Sequence, residues 1–127
     1  MDNLHNFLIT YMRTLYNDFY EDVGGTLYID LSSSGKNICL HYVHKEKLLR
    51  FILEGEAYQY DSKLQKFLFN DTEISSVKFN KDLLSMFKVV GAESLQGFKI
   101  LIRHNFRISP EEINFPDSCL TGKSPYL

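Results

Sequence analysis

Residues 48–69, LLRFILEGEAYQYDSKLQKFLF, set two apolar and aromatic runs on either side of Asp61-Ser62-Lys63. Within the first run Tyr58 and Tyr60 alternate with Ala57, Gln59 and Asp61. Period-2 geometry sends these two sets to opposite faces of an extended chain. After the turn the chain returns as Leu64–Asn70, and Asn70-Asp71 reads as another turn. A stretch of this kind needs neighbours on both sides, because an isolated hairpin is at best marginally stable. We therefore read it as the middle of an antiparallel meander that the rest of the chain covers.

The flanking sequence supplies those neighbours. Leu4, Leu8, Tyr11, Met12, Leu15 and Phe19 recur at three- and four-residue spacing after a cap at Asp2 or Asn3, which predicts an N-terminal helix closed by Gly24-Gly25. Thr26 to Ser32 and Asn37 to Val43 are rich in β-branched and aromatic residues around a Ser-Ser-Gly-Lys turn, and predict a hairpin. Residues 45–53 suit either a short helix or, in their second half, a strand. Beyond the central stretch, Ile74 to Phe79 reads as a fifth strand and Lys81 to Val90 as a second helix capped by Asn80, with Gly91 past its end. Glu93 to Gln96 reads as a linker. Gly97 to His104, GFKILIRH, alternates Phe98, Ile100 and Ile102 with Lys99, Leu101 and Arg103, and predicts a strand. Ser109-Pro110-Glu111-Glu112 suggests one helical turn before an irregular tail. The expected fold is one α+β domain over residues 1–127. It has an antiparallel β-meander of five or six strands, with the N-terminal helix and a second helix packed on one face.

Composition excludes several classes. With 44% hydrophobic and 24% charged residues the chain is globular rather than disordered. Its apolar runs are far shorter than a bilayer span, and the first residues lack the basic and cleavage regions of a secretory signal. Two cysteines, Cys39 and Cys119, are too few for a disulfide scaffold, so the expectation is a cytoplasmic protein with reduced thiols. The charge is uneven. Residues 1–30 carry five carboxylates against Arg13 alone, whereas residues 31–107 carry twelve basic against eight acidic groups.

Each chemical motif meets a simpler account. Cys39 and His41 lie two apart on a predicted strand and so share a face, as a thiolate–imidazolium pair requires. No group to orient the imidazole or receive an oxyanion is readable, and a strand cysteine is more often a small core residue. His44 falls on the other face, and no zinc-ligand spacing joins it to Cys119 or His104. Glu54 and Glu56 flank Gly55 as a pair of carboxylates, with a charged outer face or a bulge as the plainer reading. Gly122-Lys123-Ser124 lacks the first glycine of a phosphate loop, and Asn70-Asp71-Thr72 matches a glycosylation sequon that needs a secretory route. Lys78, Lys81, Lys88, Lys99, Arg103, His104 and Arg107 suggest a basic stripe. The sequence pI of about 6.1 argues against nucleic acid as the partner.

The functional expectation is a cofactor-free, non-membrane binding module that meets a basic protein partner through its surface. An inhibitor or immunity-type protein that neutralises a basic toxin or nuclease has this format, by analogy of size and charge. Its contact residues are expected at Asp18, Glu21, Asp22 and Asp30, with Tyr16, Tyr20, Tyr58 and Tyr60 as exposed anchors. The alternative is a small-ligand or enzymatic module using Cys39 and His41 in a pocket between sheet and helices.

Overall fold

From Thr26 to Ile74 each strand hydrogen-bonds the one that follows it, giving an unbroken run of antiparallel hairpins. The computed structural model describes residues 3–19, 25–33 and 36–109. They form α1 (Leu4–Phe19), β1 (Thr26–Ser33), β2 (Lys36–Val43), β3 (Leu48–Leu53), β4 (Glu56–Asp61), β5 (Lys66–Phe69), β6 (Thr72–Ile74), α2 (Ser76–Val89), α3 (Leu95–Asn105) and β7 (Phe106–Ser109). The sheet has seven strands in the order β6-β5-β4-β3-β2-β1-β7. The α+β meander expected from the sequence is present, with more strands and one more helix than expected. Residues 20–24, with Gly24 of the expected helix stop, residues 34–35 of the expected hairpin turn and the 110–127 tail lie outside the described residues; of the expected Ser-Pro-Glu-Glu turn only Ser109 is described, and it ends β7.

Alternation sorts the two sheet faces. Leu27, Ile29, Ile38, Leu40, Tyr42, Leu49, Phe51, Tyr58 and Tyr60 join Leu4, Leu8, Met12 and Leu15 of α1, Phe79, Leu83, Met86 and Phe87 of α2, and Phe98 and Ile102 of α3 in one core. All three helices therefore lie on one face. On the other face Cys39 and Ile52 form a second, smaller cluster with Ala57 against it. Thr26 and His41 are buried there too, so this face is not a plain solvent face along β1 to β3.

Two sequence expectations fail for the same reason. The stretch GFKILIRH is helical: Ser94 caps α3, its Oγ accepting the Gly97 N–H at 3.0 Å, and Ile100 points to solvent at 51% exposure. Phe98 and Ile102, four apart, face the core, and Phe98 stacks on Phe87 with centroids 3.9 Å apart. Isoleucine's β propensity yields here to a capped amphipathic helix with an aromatic partner. The true strand is β7 just beyond, paired with β1. Likewise the fifth strand ends at Ile74, because Ser75 caps α2 by accepting the Lys78 N–H at 3.1 Å. Asn80, expected as that cap, is instead buried inside α2. Its Oδ1 accepts the His5 N–H at 2.9 Å and its Nδ2 donates to the Ser76 carbonyl at 2.8 Å, which ties α1 to α2. Gly91 does end α2. At φ +78 it lets its own N–H reach the Lys88 carbonyl and the Ala92 N–H reach the Phe87 carbonyl.

Candidate functional site: the two hairpin ends of the sheet

In a meander, successive turns fall at alternate ends. The β3–β4 and β5–β6 turns thus lie at one end, and the β2–β3 and β4–β5 turns at the other. At the first end both turns take two residues: Glu54-Gly55 has φ of 52° and 83°, and Asn70-Asp71 has 47° and 69°. Positive φ at both positions marks type I′ turns, whose twist matches that of the strands they join. The Asn70 side chain links the two turns, accepting the Ala57 N–H at 3.0 Å and donating to Glu56 Oε2 at 2.7 Å. Glu54, Glu56, Asp71 and Glu73 are all exposed at this end, and Lys36 pairs with Glu54. Beside them, on the face away from the helices, is a depression of about 290 Å³ lined by Arg50, Gln59, Leu68 and Asp71.

Tyr58 connects this end to α2. Its Oη donates to Asp82 Oδ2 at 2.7 Å, and the same oxygen accepts Lys78 Nζ at 2.9 Å. Burial is the main cause that pushes the Tyr58 phenol well above its usual value, and the bond to Asp82 and the charges of Asp82, Glu56 and Glu54 add to it.

The opposite end is built from four-residue loops, His44–Lys47 and 62–65, closed by the pairs Val43↔Leu48 and Asp61↔Lys66. Each ends on a left-handed residue, Lys47 at φ 56° and Gln65 at 54°. Asp61 Oδ1 accepts the N–H groups of Lys63 and Leu64 at 3.0 and 3.1 Å, an Asx-type closure. Lys45, Lys47, Lys63 and Lys66 project here, with Arg13 of α1 acting on Tyr42, His44 and Lys47 through its charge. Tyr42 Oη lies 3.1 Å from His44 Nδ1, and Tyr16 stacks on the imidazole at 4.1 Å. Burial first, then Lys47 and Arg13, lowers the His44 pKa; burial first, then Arg13 and Lys63, lowers that of Lys47. Tyr42 is pushed up to about 12 by burial, against the pull of Arg13.

The contact residues expected from the sequence do not assemble. Tyr16, Tyr58 and Tyr60 are buried, at 1%, 6% and 6% exposure, because alternation and the helical stripe turn their rings into the core; they are not surface anchors. Asp18 is exposed on α1, whereas Asp30 is half-buried on the sheet face away from the helices, so the two point to different sides of the molecule. Tyr20, Glu21 and Asp22 lie outside the described residues.

Cys39 and His41 share a strand face, and both are 1% exposed. Cys39 Sγ lies 3.8 Å from Asp30 Oδ1 on the neighbouring strand, and Cys119 lies outside the described residues. Glu54 and Glu56 do not share a strand face, since Glu54 occupies the turn. The basic stripe is also dispersed: Lys78 pairs with Asp82, and Lys99 lies over the Phe7 and Tyr11 rings at 5.5 and 5.2 Å. Among the described residues no group of three or more His, Cys, Asp or Glu side chains is placed to hold a metal, and no helix is long and apolar enough to cross a membrane.

No family model matches the chain, and neither a curated protein nor a solved structure matches it. The described surface divides into an acidic hairpin end and a basic one. The sequence signal for them was the alternation of acidic turns (Glu54-Gly55-Glu56, Asn70-Asp71) with basic ones (His44–Lys47, Asp61–Lys66). Counting charge by chain thirds hides that alternation.

Proposed function

We propose that the protein is a non-catalytic binding module of the inhibitor or immunity type, which covers a basic protein with the acidic hairpin end of its sheet. The observation that carries this reading is the row Glu54, Glu56, Asp71 and Glu73, exposed and mounted on two interlinked type I′ turns. Rigid mounting matters because charges already held in place lose little side-chain freedom on contact. Carboxylates at the rim of such a contact act mainly on encounter, so salt slows association more than it speeds dissociation.

The test compares the native chain with the E54K/E56K/D71K/E73K variant, both immobilised and exposed to extract from the native host. A basic protein retained by the native chain and lost from the variant supports the reading, provided the D18K control still retains it. Equal retention by both, or loss with D18K alone, overturns it.

A further inference from the structure

The basic end has a geometry of its own. The two four-residue loops lie side by side: the Ser62 N–H and Oγ both donate to the Lys47 carbonyl, at 3.3 and 2.8 Å, and Lys63 Nζ donates to the Lys45 carbonyl at 3.2 Å. Lys47 is locked in its left-handed conformation by these bonds, and its ammonium lies 3.4 Å from both ring nitrogens of His44. Tyr42 and the stacked Tyr16 hold the imidazole from the core side. Arg13 sits nearly one helical turn before Tyr16 on α1.

Among the described residues none of Arg13, Lys45, Lys47 and Lys63 pairs with a carboxylate. Asp61 is turned to backbone N–H groups, and Glu46, the one acid in the β2–β3 loop, is exposed and makes no ion pair with them. Like charges gathered without a counter-charge raise the energy of the free protein, and an anion placed among them removes that cost.

We propose that this end of the sheet is a binding site for a phosphate-class dianion, held by Lys47 and its neighbour His44 as a titrating donor, with Lys63 and Arg13 as outer charges. A tetrahedral dianion carries twice the charge of a halide or a single carboxylate and spreads it over several oxygens, so it offsets more of the clustered positive charge. The lowered pKa values of His44 and Lys47 agree with this, since a dianion between them reverses the part that neighbouring cations cause. Inorganic phosphate and a phosphorylated lipid headgroup share the required chemistry. The site lies at the opposite end from the acidic row and does not depend on it.

The experiment follows the His44 ring proton by NMR against pH, in inorganic phosphate and in chloride at equal ionic strength. Phosphate is expected to raise the His44 pKa above its value in chloride. K47Q is expected to weaken phosphate binding about tenfold and K63Q by a smaller factor, while E54Q changes nothing. An equal His44 response in the two salts overturns the proposal, as does unchanged phosphate binding in K47Q. If K47Q fails to fold, R13Q and K63Q, both at exposed side chains, decide in the same way. With a phosphate response established, sedimentation with phosphoinositide vesicles assigns the source: co-sedimentation lost in K47Q means a headgroup, and none means a soluble phosphate.

Discussion

At one end of the sheet the chain reverses in two residues, and at the other it takes four. The tight turns carry glutamates and an aspartate, and the wide ones carry lysines. Type I′ turns leave only two side chains per reversal, and Asn70 and Lys36 hold Glu56 and Glu54 there. The wider loops fold over one another through the Lys47 carbonyl, and so bring several cations into a shared space. The difference shows that a protein of net charge −2 can present two strongly opposed surfaces, sorted by the parity of its hairpins.

The severest way to break the comparison is to remove what both ends stand on. Phe79 lies between them, its ring centroid 5.3 Å from Phe51, 6.2 Å from Tyr58, 6.3 Å from Tyr60 and 5.1 Å from Phe67. Phe79→Ala should cost about 3–5 kcal/mol in urea denaturation, by lost transfer energy and the cavity left behind. Loss of His44 and Tyr58 signals at one midpoint is the expected result; two separate midpoints would show that the ends fold independently.

Alkali acts next, and at both ends with one sign. Tyr42 beside the basic loops and Tyr58 beside the acidic turns both have raised folded-state pKa values, the first to about 12. Below about pH 10 each phenol is protonated in both states, so no stability depends on it. As pH climbs past that value the unfolded chain releases protons that the folded one keeps, and stability falls until the folded phenols also ionise. For Tyr42 the loss is roughly 2–3 kcal/mol between pH 10 and 12. Tyr42→Phe should flatten that part of the profile. Tyr58→Phe should do the same and also free Asp82 for Lys78 alone.

The turns themselves respond with opposite signs at a glycine and at side-chain-bearing positions of positive φ, the latter present at both ends. Gly55 sits at φ +83, where a side chain costs about 1–2 kcal/mol, so Gly55→Ala should destabilise by that much. Lys47 and Gln65 already bear that cost at φ of 56° and 54°. Lys47→Gly or Gln65→Gly should therefore gain up to ~1 kcal/mol, less the extra freedom glycine has when unfolded. Thermal melts of the three variants read both signs; destabilisation in all three would mean that the wide loops are held by side-chain contacts instead of relieved by glycine.

Much of this architecture was legible in the sequence because hairpin grammar is local. Asp61-Ser62-Lys63 and Asn70-Asp71 announce their own turns, and the 58/60 against 57/59 alternation assigns faces correctly. What was not legible depends on distant partners. Nothing near GFKILIRH says that Phe87 waits to stack on Phe98, and without that contact the isoleucines read as strand. Asn80 looks like a cap until His5, seventy-five residues earlier, is brought against it. The tyrosine anchors fail for a related reason. Residue type suggests a surface role for Tyr16, Tyr58 and Tyr60, while burial, a property of the whole fold, turns them inward. Acidity follows the chain in sequence, whereas antiparallel pairing redistributes it between two ends.

The mildest test concerns acid and touches the basic end alone, since the acidic turns carry no histidine. His44 has a folded pKa below its ordinary value, from burial first and then from Lys47 and Arg13. As pH falls, the unfolded chain takes up this proton before the folded chain does. Stability present above about pH 6.5 is therefore lost as pH drops through the folded value. Other titrating groups slope the profile too, so the comparison is between native protein and His44→Gln, by urea midpoint from neutral pH downward. The native curve should fall more steeply, and Lys47→Gln should lie between the two, because it removes one cationic neighbour and leaves burial in place. Phosphate should narrow the gap at low pH by stabilising the charged imidazole. Parallel curves for native protein and His44→Gln would show that the imidazole charges freely in the fold, and that the cations around it are too far off or too well solvated to matter.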